Sequence, residues 1–435
     1  MYFLPLPPLT LPAHTLAAIL TWVVVYWITE AIPLPITSLL GATFCVVAGL
    51  GSVKTVFANF AHPIIFMFIG SFFIAEAFVV HKVDRRFATW LLSFQWVRRT
   101  PSRIFFAVGC ATALLSMWIS NTAAVAIMVP IVLGLLSTIR GPDENHERYE
   151  PGVMLLLAYG AAAGGMVTMI GTPPNLIGVG LLSEQAGITL PFHTWVWVGL
   201  PLGIIMFLVI FIVLLWLHAP HGALPGLREH VQDLRTNLGA WTPGQVNTCV
   251  ALGLAVCLWI VPGLLAGMVG WDHNLVVWLN ARFPKELVAI LAAGLLFVLP
   301  VNTKRGEFTL SWKQAANIDW GTILLFGGGL AFGHLMVKTG LAEAVGRGMV
   351  ALIGENALWR LTAVAIGTTL ILTELASNTA AASMLVPVVI AIAQSANVSP
   401  VPPTLGVCVA ASLAFVLPVS TPPNAIVYGT GLVPL

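Results

Sequence analysis

Four short polar runs interrupt an otherwise apolar chain of 435 residues. Ser120-Asn121-Thr122-Ala123-Ala124 recurs as Ser377-Asn378-Thr379-Ala380-Ala381. Thr172-Pro173-Pro174-Asn175 recurs as Thr421-Pro422-Pro423-Asn424, with Gly171 before the first copy and Ser420 before the second. Ser, Asn and Thr carry compact donors and acceptors. Pro-Pro stops a helix and removes two N–H donors, and Gly171 lets the backbone turn tightly and expose its carbonyl. In hydrocarbon, each such break leaves polar backbone groups that must be satisfied by something. Carbonyls and hydroxyls at the C-terminal ends of half-helices suit a hard cation such as Na⁺. The N-terminal ends of the half-helices that follow suit an anion, so one site can hold both. No Lys or Arg lies in the core of these segments. An anion there is held by amide dipoles, hydroxyls and co-bound cations, and without the cations a dianion meets little positive potential.

The elements that must position these runs follow from composition. Asp, Glu, Lys and Arg make up only 8% of the chain, the apolar share is 58% and the mean hydropathy is +0.94. Soluble domains carry about 25% charged residues, so a soluble enzyme, a disordered chain and a nucleic-acid binder are excluded. An all-α polytopic membrane protein remains. Apolar segments long enough to span run at 14–30, 34–51, 63–80, 195–217, 246–268, 286–301 and 320–338, given the roughly 17–25 residues needed to cross. Segments 104–119 and 122–137 flank the first Ser-Asn-Thr, and 359–376 and 379–395 flank the second. Segments 152–183 and 404–431 are broken at the Thr-Pro-Pro-Asn runs.

The recurrence extends beyond the motifs. Pro130 and Pro387 share the offset of the Ser-Asn-Thr triplets, as do Gly70 in FMFIGSFF and Gly327 in LLFGGGLA. Two motifs, a proline and a glycine-rich helix in one order indicate an internal duplication, with its boundary near 220–245. With the N-terminus outside, most Lys and Arg fall on the inside, in 81–103, 138–150, 218–240 and 301–318, which supports that orientation. It requires 104–137 and 359–395 to be re-entrant hairpins entering from opposite sides. The reading is therefore an inverted-topology repeat with two opposed hairpins and two broken helices, an arrangement of secondary transporters. The stretch 81–99 reads as an amphipathic interfacial helix. The first copy closes with a span at 195–217 whereas the second stops after its broken helix, and MYFLPLPPL resembles the tail of an earlier helix. One further span is expected at each end.

Other chemistry is sparse. Cys45, Cys110, Cys249, Cys257 and Cys408 form no Cys-x-x-Cys pair and read as small core residues. Glu374 lies three residues before Ser377 and reads as an acceptor for backbone donors of the hairpin, with cation attraction or proton sensing as the functional alternative. The equivalent first-copy residue is Met117. Glu30 and Glu76 lie near helix ends, and His334 reads as a satisfied core histidine. No span shows the polar stripe of a channel, and no histidine accompanies the triplet serines as a hydrolase would need.

At these motifs the chain resembles the divalent anion/sodium symporter family, which carries di- and tricarboxylates. The matching pieces are WITEAIPLPITSLL (27–40), SNTAAVAIMVP (120–130), IGTPPNLIGVG (170–180), TELASNTAAASMLVP (373–387) and LPVSTPPNAIVYGTG (417–431). The resemblance implies a homodimer in the inner or plasma membrane working as an elevator. Residues 1–103 and 195–338 would form the scaffold, with the interfacial helix and the inter-repeat linker, and 104–194 and 359–435 the mobile transport domain. It implies that Ser120, Asn121, Thr122, Ser377, Asn378 and Thr379 contact substrate carboxylates, with Thr172, Pro173, Thr421 and Pro422 lining the pocket. One sodium site would use Ser116, Ser120, Asn121 and Gly171. The other would use Thr373, Ala376, Asn378 and Ser420. Ser420 departs from the small apolar residue often found there, and a backbone carbonyl can serve instead. The implied activity is Na⁺-coupled import of C4-dicarboxylates such as succinate, malate or fumarate. A sodium-independent exchanger of the same fold is the alternative, and the sequence does not choose between dicarboxylate, citrate, tartrate and sulfate.

Overall fold

The computed structural model describes residues 9–97, 100–137, 146–218, 236, 239–353 and 357–434. The expected duplication boundary and the polar loop at 141–150 lie mostly outside these residues. Apart from a two-stranded ribbon at Pro300–Asn302 and Glu307–Phe308, the described elements are helical. Seven of the described helices are long and apolar enough to cross a membrane.

The helices fall into two runs of similar order, the second with one helix, Asn274–Arg282, that has no counterpart in the first. The first copy runs through α1 (Leu11–Thr29), α2 (Leu34–Val47), α3 (Val53–Phe57), α4 (Pro63–Val80), α5 (Val83–Leu92), α6 (Pro101–Ser116), α7 (Asn121–Ser137), α8 (His146–Gly165) and α9 (Pro173–Ala186). After α10 (Phe192–Leu217), the second runs through α11 (Pro243–Val269), α12 (Asn274–Arg282), α13 (Lys285–Val298), α14 (Trp312–Ala315), α15 (Trp320–Thr339), α16 (Leu341–Ile353), α17 (Ala357–Leu375), α18 (Asn378–Ser395), α19 (Val401–Ala411) and α20 (Pro422–Tyr428). Each copy thus presents a glycine-bearing long helix, a short amphipathic helix, a helical hairpin and a broken helix. Side-chain detail repeats too. Trp27 Nε1 on α1 donates to the carbonyl of Leu34, the first residue of α2. Trp259 Nε1 on α11 donates to that of Lys285, the first residue of α13. The amphipathic helix α16, partner of α5 in this scheme, was not anticipated. Its sequence LAEAVGRGMVALI is as strongly amphipathic as α5 and lies between the expected segments 320–338 and 359–376. The segments expected at 34–51 and 286–301 give helices of only 14 residues. Gly49 and Gly51 follow α2 and Pro300 follows α13, and neither residue type sustains a helix.

Two compact units divide the chain, and their boundaries fall at both helix breaks, between Thr172 and Pro173 and between Val416 and Leu417. One unit contains α1–α3, α9 and α15–α19. Within it α9 packs on α18 and α19, and α17 packs on α19. The other contains α5–α8, α10–α14 and α20. Within it α6 packs on α8, and α20 packs on α7 and α8. Each unit therefore combines the hairpin and first half-helix of one copy with the second half-helix of the other. Helices α10 and α11 leave Ile205, Ile212, Trp216 and Met268 exposed. Helices so apolar on an open face are solvated by lipid rather than by water.

Asp84 opens α5 and is buried, with Oδ1 accepting the Arg85 amide at 2.6 Å. On the same helix, Arg86 donates to the Gly239 and Ala240 carbonyls and lies over the Trp241 ring. Burial pushes the Asp84 carboxyl from its ordinary 3.8 up to about 6, against the pull of the Arg85 amide and charge. A carboxyl raised in the folded state stabilises the fold at low pH, and that stability is lost as pH rises through about 6. The gap corresponds to roughly 2–3 kcal/mol. Asp84→Asn should raise the apparent unfolding temperature in detergent by a few degrees at neutral pH and leave it unchanged near pH 4. An equal gain at both pH values would show that charge burial is not the cause.

Candidate functional site

The first hairpin ends α6 at Ser116 and starts α7 at Asn121. The side chains of these two residues meet across the tip, with Ser116 Oγ donating to Asn121 Oδ1 at 2.7 Å. Ser120 caps α7, accepting the Ala123 amide at 3.2 Å. A hydroxyl that accepts from a capped amide keeps its own proton to give to an anion. Behind the tip lies the break between α8 and α9. A Cβ placed on Gly165 would run into Asn121 Oδ1. One on Gly171 would stand 2.5 Å from Gly165 O and 2.9 Å from Ser116 O. Both positions require glycine because polar oxygens occupy the space a side chain would take. The Ser116 hydroxyl and carbonyl, the Asn121 amide oxygen and the Gly165 carbonyl therefore converge around Gly165 and Gly171 within this unit. Thr168 ties it together, donating to Met117 O at 2.5 Å and accepting the Gly171 amide at 3.1 Å.

The second hairpin repeats this arrangement inside the other unit. Helix α17 ends at Leu375 and α18 starts at Asn378, capped by Ser377, whose hydroxyl accepts the Ala380 amide at 3.2 Å. Thr373 stands where Ser116 stands in the first copy. Its Oγ1 lies 2.9 Å from Asn378 Oδ1 and 2.7 Å from Ala411 O, at the C-terminal end of α19. One hydroxyl proton faces two acceptors. The leftover lone pairs make this buried oxygen cluster a fit for a hard monovalent cation, which takes oxygen ligands. Glu374 Oε1 accepts the Phe415 and Val416 amides at 2.7 and 3.0 Å. Its role as a backbone acceptor stands, but the donors belong to the break after α19 rather than to the hairpin.

The second break reads as the motif predicts. Thr421 caps α20 through the Asn424 amide at 3.3 Å. Pro422 and Pro423 occupy the first turn, where missing N–H groups cost nothing. Asn424 Nδ2 closes the loop onto Leu417 O and Ser420 Oγ, both at 3.2 Å. Ser420 and Thr421 fall in the unit of the first hairpin, as does Thr172, whereas Pro173 falls with the second hairpin. Thr122, Thr379 and Ala376 sit beside their Asn partners on the hairpin tips, Ala376 closing α17 through its amide to Leu372 O.

Three participants were not singled out from the sequence: Thr168, Gly165 and the Ala411 carbonyl. Thr168 carries a usable signal, a hydroxyl three residues before a glycine break. A carbonyl carries none, since any residue type supplies one. His334 is satisfied as expected, with Nδ1 2.9 Å from Glu184 Oε1, while His62 Nε2 lies 3.7 Å from Glu184 Oε2. Among the described residues no group of His, Cys, Asp and Glu is arranged to hold a metal ion.

The family model described as the sodium:sulfate symporter transmembrane region matches residues 1–435. An uncharacterized transporter of Haemophilus influenzae is 34% identical over 429 residues, 97% of this chain and 86% of its own length. The sodium-dependent dicarboxylate transporter SdcS of Staphylococcus saprophyticus is 32% identical over 423 residues, 95% of this chain and 79% of its own length. The protein of the same name from Staphylococcus aureus is 31% identical over a stretch of the same length.

Proposed function

The chain belongs to the sodium:sulfate symporter transmembrane family, and on that premise we propose that it is a multi-pass membrane transporter that couples the entry of dicarboxylate anions to Na⁺. The observation that carries this reading is the paired oxygen cluster. Ser116 with Asn121 and Thr373 with Asn378 make the same contact in both copies, and neither cluster includes a basic residue. Sodium, the co-substrate, is assigned to Ser116, Ser120, Asn121 and Gly171 in the first copy and to Thr373, Ala376 and Asn378 in the second; Ser420, expected with the latter, falls in the unit of the first hairpin. For the anion the proposal names Ser120, Asn121 and Thr122 at the N-terminal end of α7 and Ser377, Asn378 and Thr379 at that of α18, each in its own unit, together with Thr172, Pro173, Thr421 and Pro422. At those ends the amide dipoles favour negative charge, and the bound cations supply the rest of the positive field.

The names of the SdcS relatives support sodium and dicarboxylate as the pair. Four-carbon dicarboxylates such as succinate, malate and fumarate are our choice within that class. The homodimer, the opposed re-entrant hairpins and the elevator motion of 104–194 and 359–435 against 1–103 and 195–338 belong to the same proposal. The test is uptake of labelled succinate into proteoliposomes with and without an inward Na⁺ gradient, with malate, fumarate, citrate and sulfate as competitors. Saturable uptake that requires the gradient and yields to malate and fumarate is expected. Full uptake in Na⁺-free buffer against internal dicarboxylate would make the protein an exchanger, and competition by sulfate alone would reassign the substrate.

A further inference from the structure

We propose that Glu374 is a positioning residue for the cation cluster of the second copy, and that Thr168 does the same work by different chemistry in the first. The proposal rests on the reading of these clusters as sodium sites. Thr373 and Glu374 are adjacent, and together they hold both ends of one stretch of the break. Thr373 fixes the Ala411 carbonyl, and Glu374 Oε1 takes the amides of Phe415 and Val416. The amides of Ser412 and Leu413 fold back onto the Val409 and Ala410 carbonyls of α19, and beyond them residues 414–416 are in no helix, so Glu374 sets the direction in which the chain leaves α19. Releasing the far end leaves only these last-turn bonds to hold the end of α19, so the turn frays more readily and the Ala411 carbonyl moves away from Thr373, taking one oxygen out of the cluster.

In the first copy the position of Glu374 is taken by Met117, whose side chain offers no strong acceptor. The backbone takes over there. Met117 O accepts from Thr168, and Thr168 Oγ1 accepts from the amide of Gly171, the residue packed against the Gly165 and Ser116 carbonyls. Both breaks are thus tied to the tip of a hairpin, by a carboxylate in one copy and by a hydroxyl relay in the other. An ion-attracting charge alone would not need both amides on one oxygen, and it would leave the first copy without a counterpart.

Glu374→Gln keeps a side-chain oxygen for the Phe415 and Val416 amides and removes the charge, whereas Glu374→Met removes the tie. Two quantities are read in each variant: the Na⁺ concentration for half-maximal succinate uptake, and hydrogen exchange at the Phe415 and Val416 amides. Glu374→Met should raise half-saturating Na⁺ about tenfold and speed exchange at both amides about tenfold or more, since an amide that loses its acceptor opens locally. Glu374→Gln should stay within about threefold of wild type in both readouts. Thr168→Val should show the same loss at the Gly171 amide and in Na⁺ dependence, and it carries the test on its own if the methionine variant fails to insert. Equal failure of Glu374→Gln and Glu374→Met would assign the effect to charge and overturn the proposal. So would Na⁺ dependence in Glu374→Met that equals wild type. Sodium-independent uptake by the wild-type protein would instead overturn the sodium-site reading, and with it the assignment to a cation cluster.

Discussion

Asn378→Ala and Asn121→Ala are each expected to reduce Na⁺-dependent succinate uptake about a hundredfold while the protein inserts and purifies as wild type does. Each asparagine supplies the amide oxygen that meets the hydroxyl of Thr373 or Ser116. Truncation removes that oxygen from the cluster and leaves the Ser116 hydroxyl without its acceptor. An unsatisfied buried hydroxyl costs about 1–3 kcal/mol, and loss of a cation ligand adds to this. The same asparagine is also placed against the substrate, so both half-saturating Na⁺ and the KM for succinate should rise. Proteoliposome uptake over a range of Na⁺ and succinate concentrations separates the two. If both variants transport at wild-type rates, the clusters are packing features and the site lies elsewhere.

Gly171→Ala carries the second large effect. Its methyl would stand 2.5 Å from Gly165 O and 2.9 Å from Ser116 O, and both neighbours are backbone. Backbone cannot swing aside as a flexible side chain can, so the break must open or the hairpin tip must retreat. Either movement pulls the first-copy oxygens apart. The expected result is loss of Na⁺-coupled uptake comparable to that of Asn121→Ala. The control is Gly253→Ala on α11, where a Cβ meets nothing within 4 Å. There an alanine gains about 1 kcal/mol of helix propensity, and uptake should be unchanged. Similar losses in the two variants would mean that uptake answers to any glycine replacement and not to the oxygen cluster.

The duplication shows how far the chain itself could be read. Helices α4, α6, α7, α15, α17 and α18 lie within a few residues of their expected segments because apolar runs bounded by proline, glycine or a capping serine leave the backbone few alternatives. The breaks were legible for the same reason, since Pro173-Pro174 and Pro422-Pro423 cannot continue a helix. The recurrence of Ser-Asn-Thr marked Asn121 and Asn378, whereas their partners Ser116 and Thr373 came only from what the family resemblance implies. The structure added what spacing cannot encode. The Ala411 carbonyl is independent of residue type. The Thr168 relay depends on a fold-back between α8 and the first hairpin. The exchange of second half-helices, which puts α9 with the second hairpin and α20 with the first, is a matter of chain path. The amphipathic α16 carries a helical periodicity as strong as that of α5, a signal present in the sequence between the segments at 320–338 and 359–376.

The central claim is that the two hairpin clusters bind the coupling sodium ions. Equilibrium binding of radiolabelled sodium to the purified protein without substrate addresses it directly, in wild type, in Asn121→Ala, in Asn378→Ala and in the double variant. The account predicts saturable binding by wild type, partial loss in each single variant and no saturable binding in the double variant. Saturable sodium binding that survives unchanged in the double variant would contradict it.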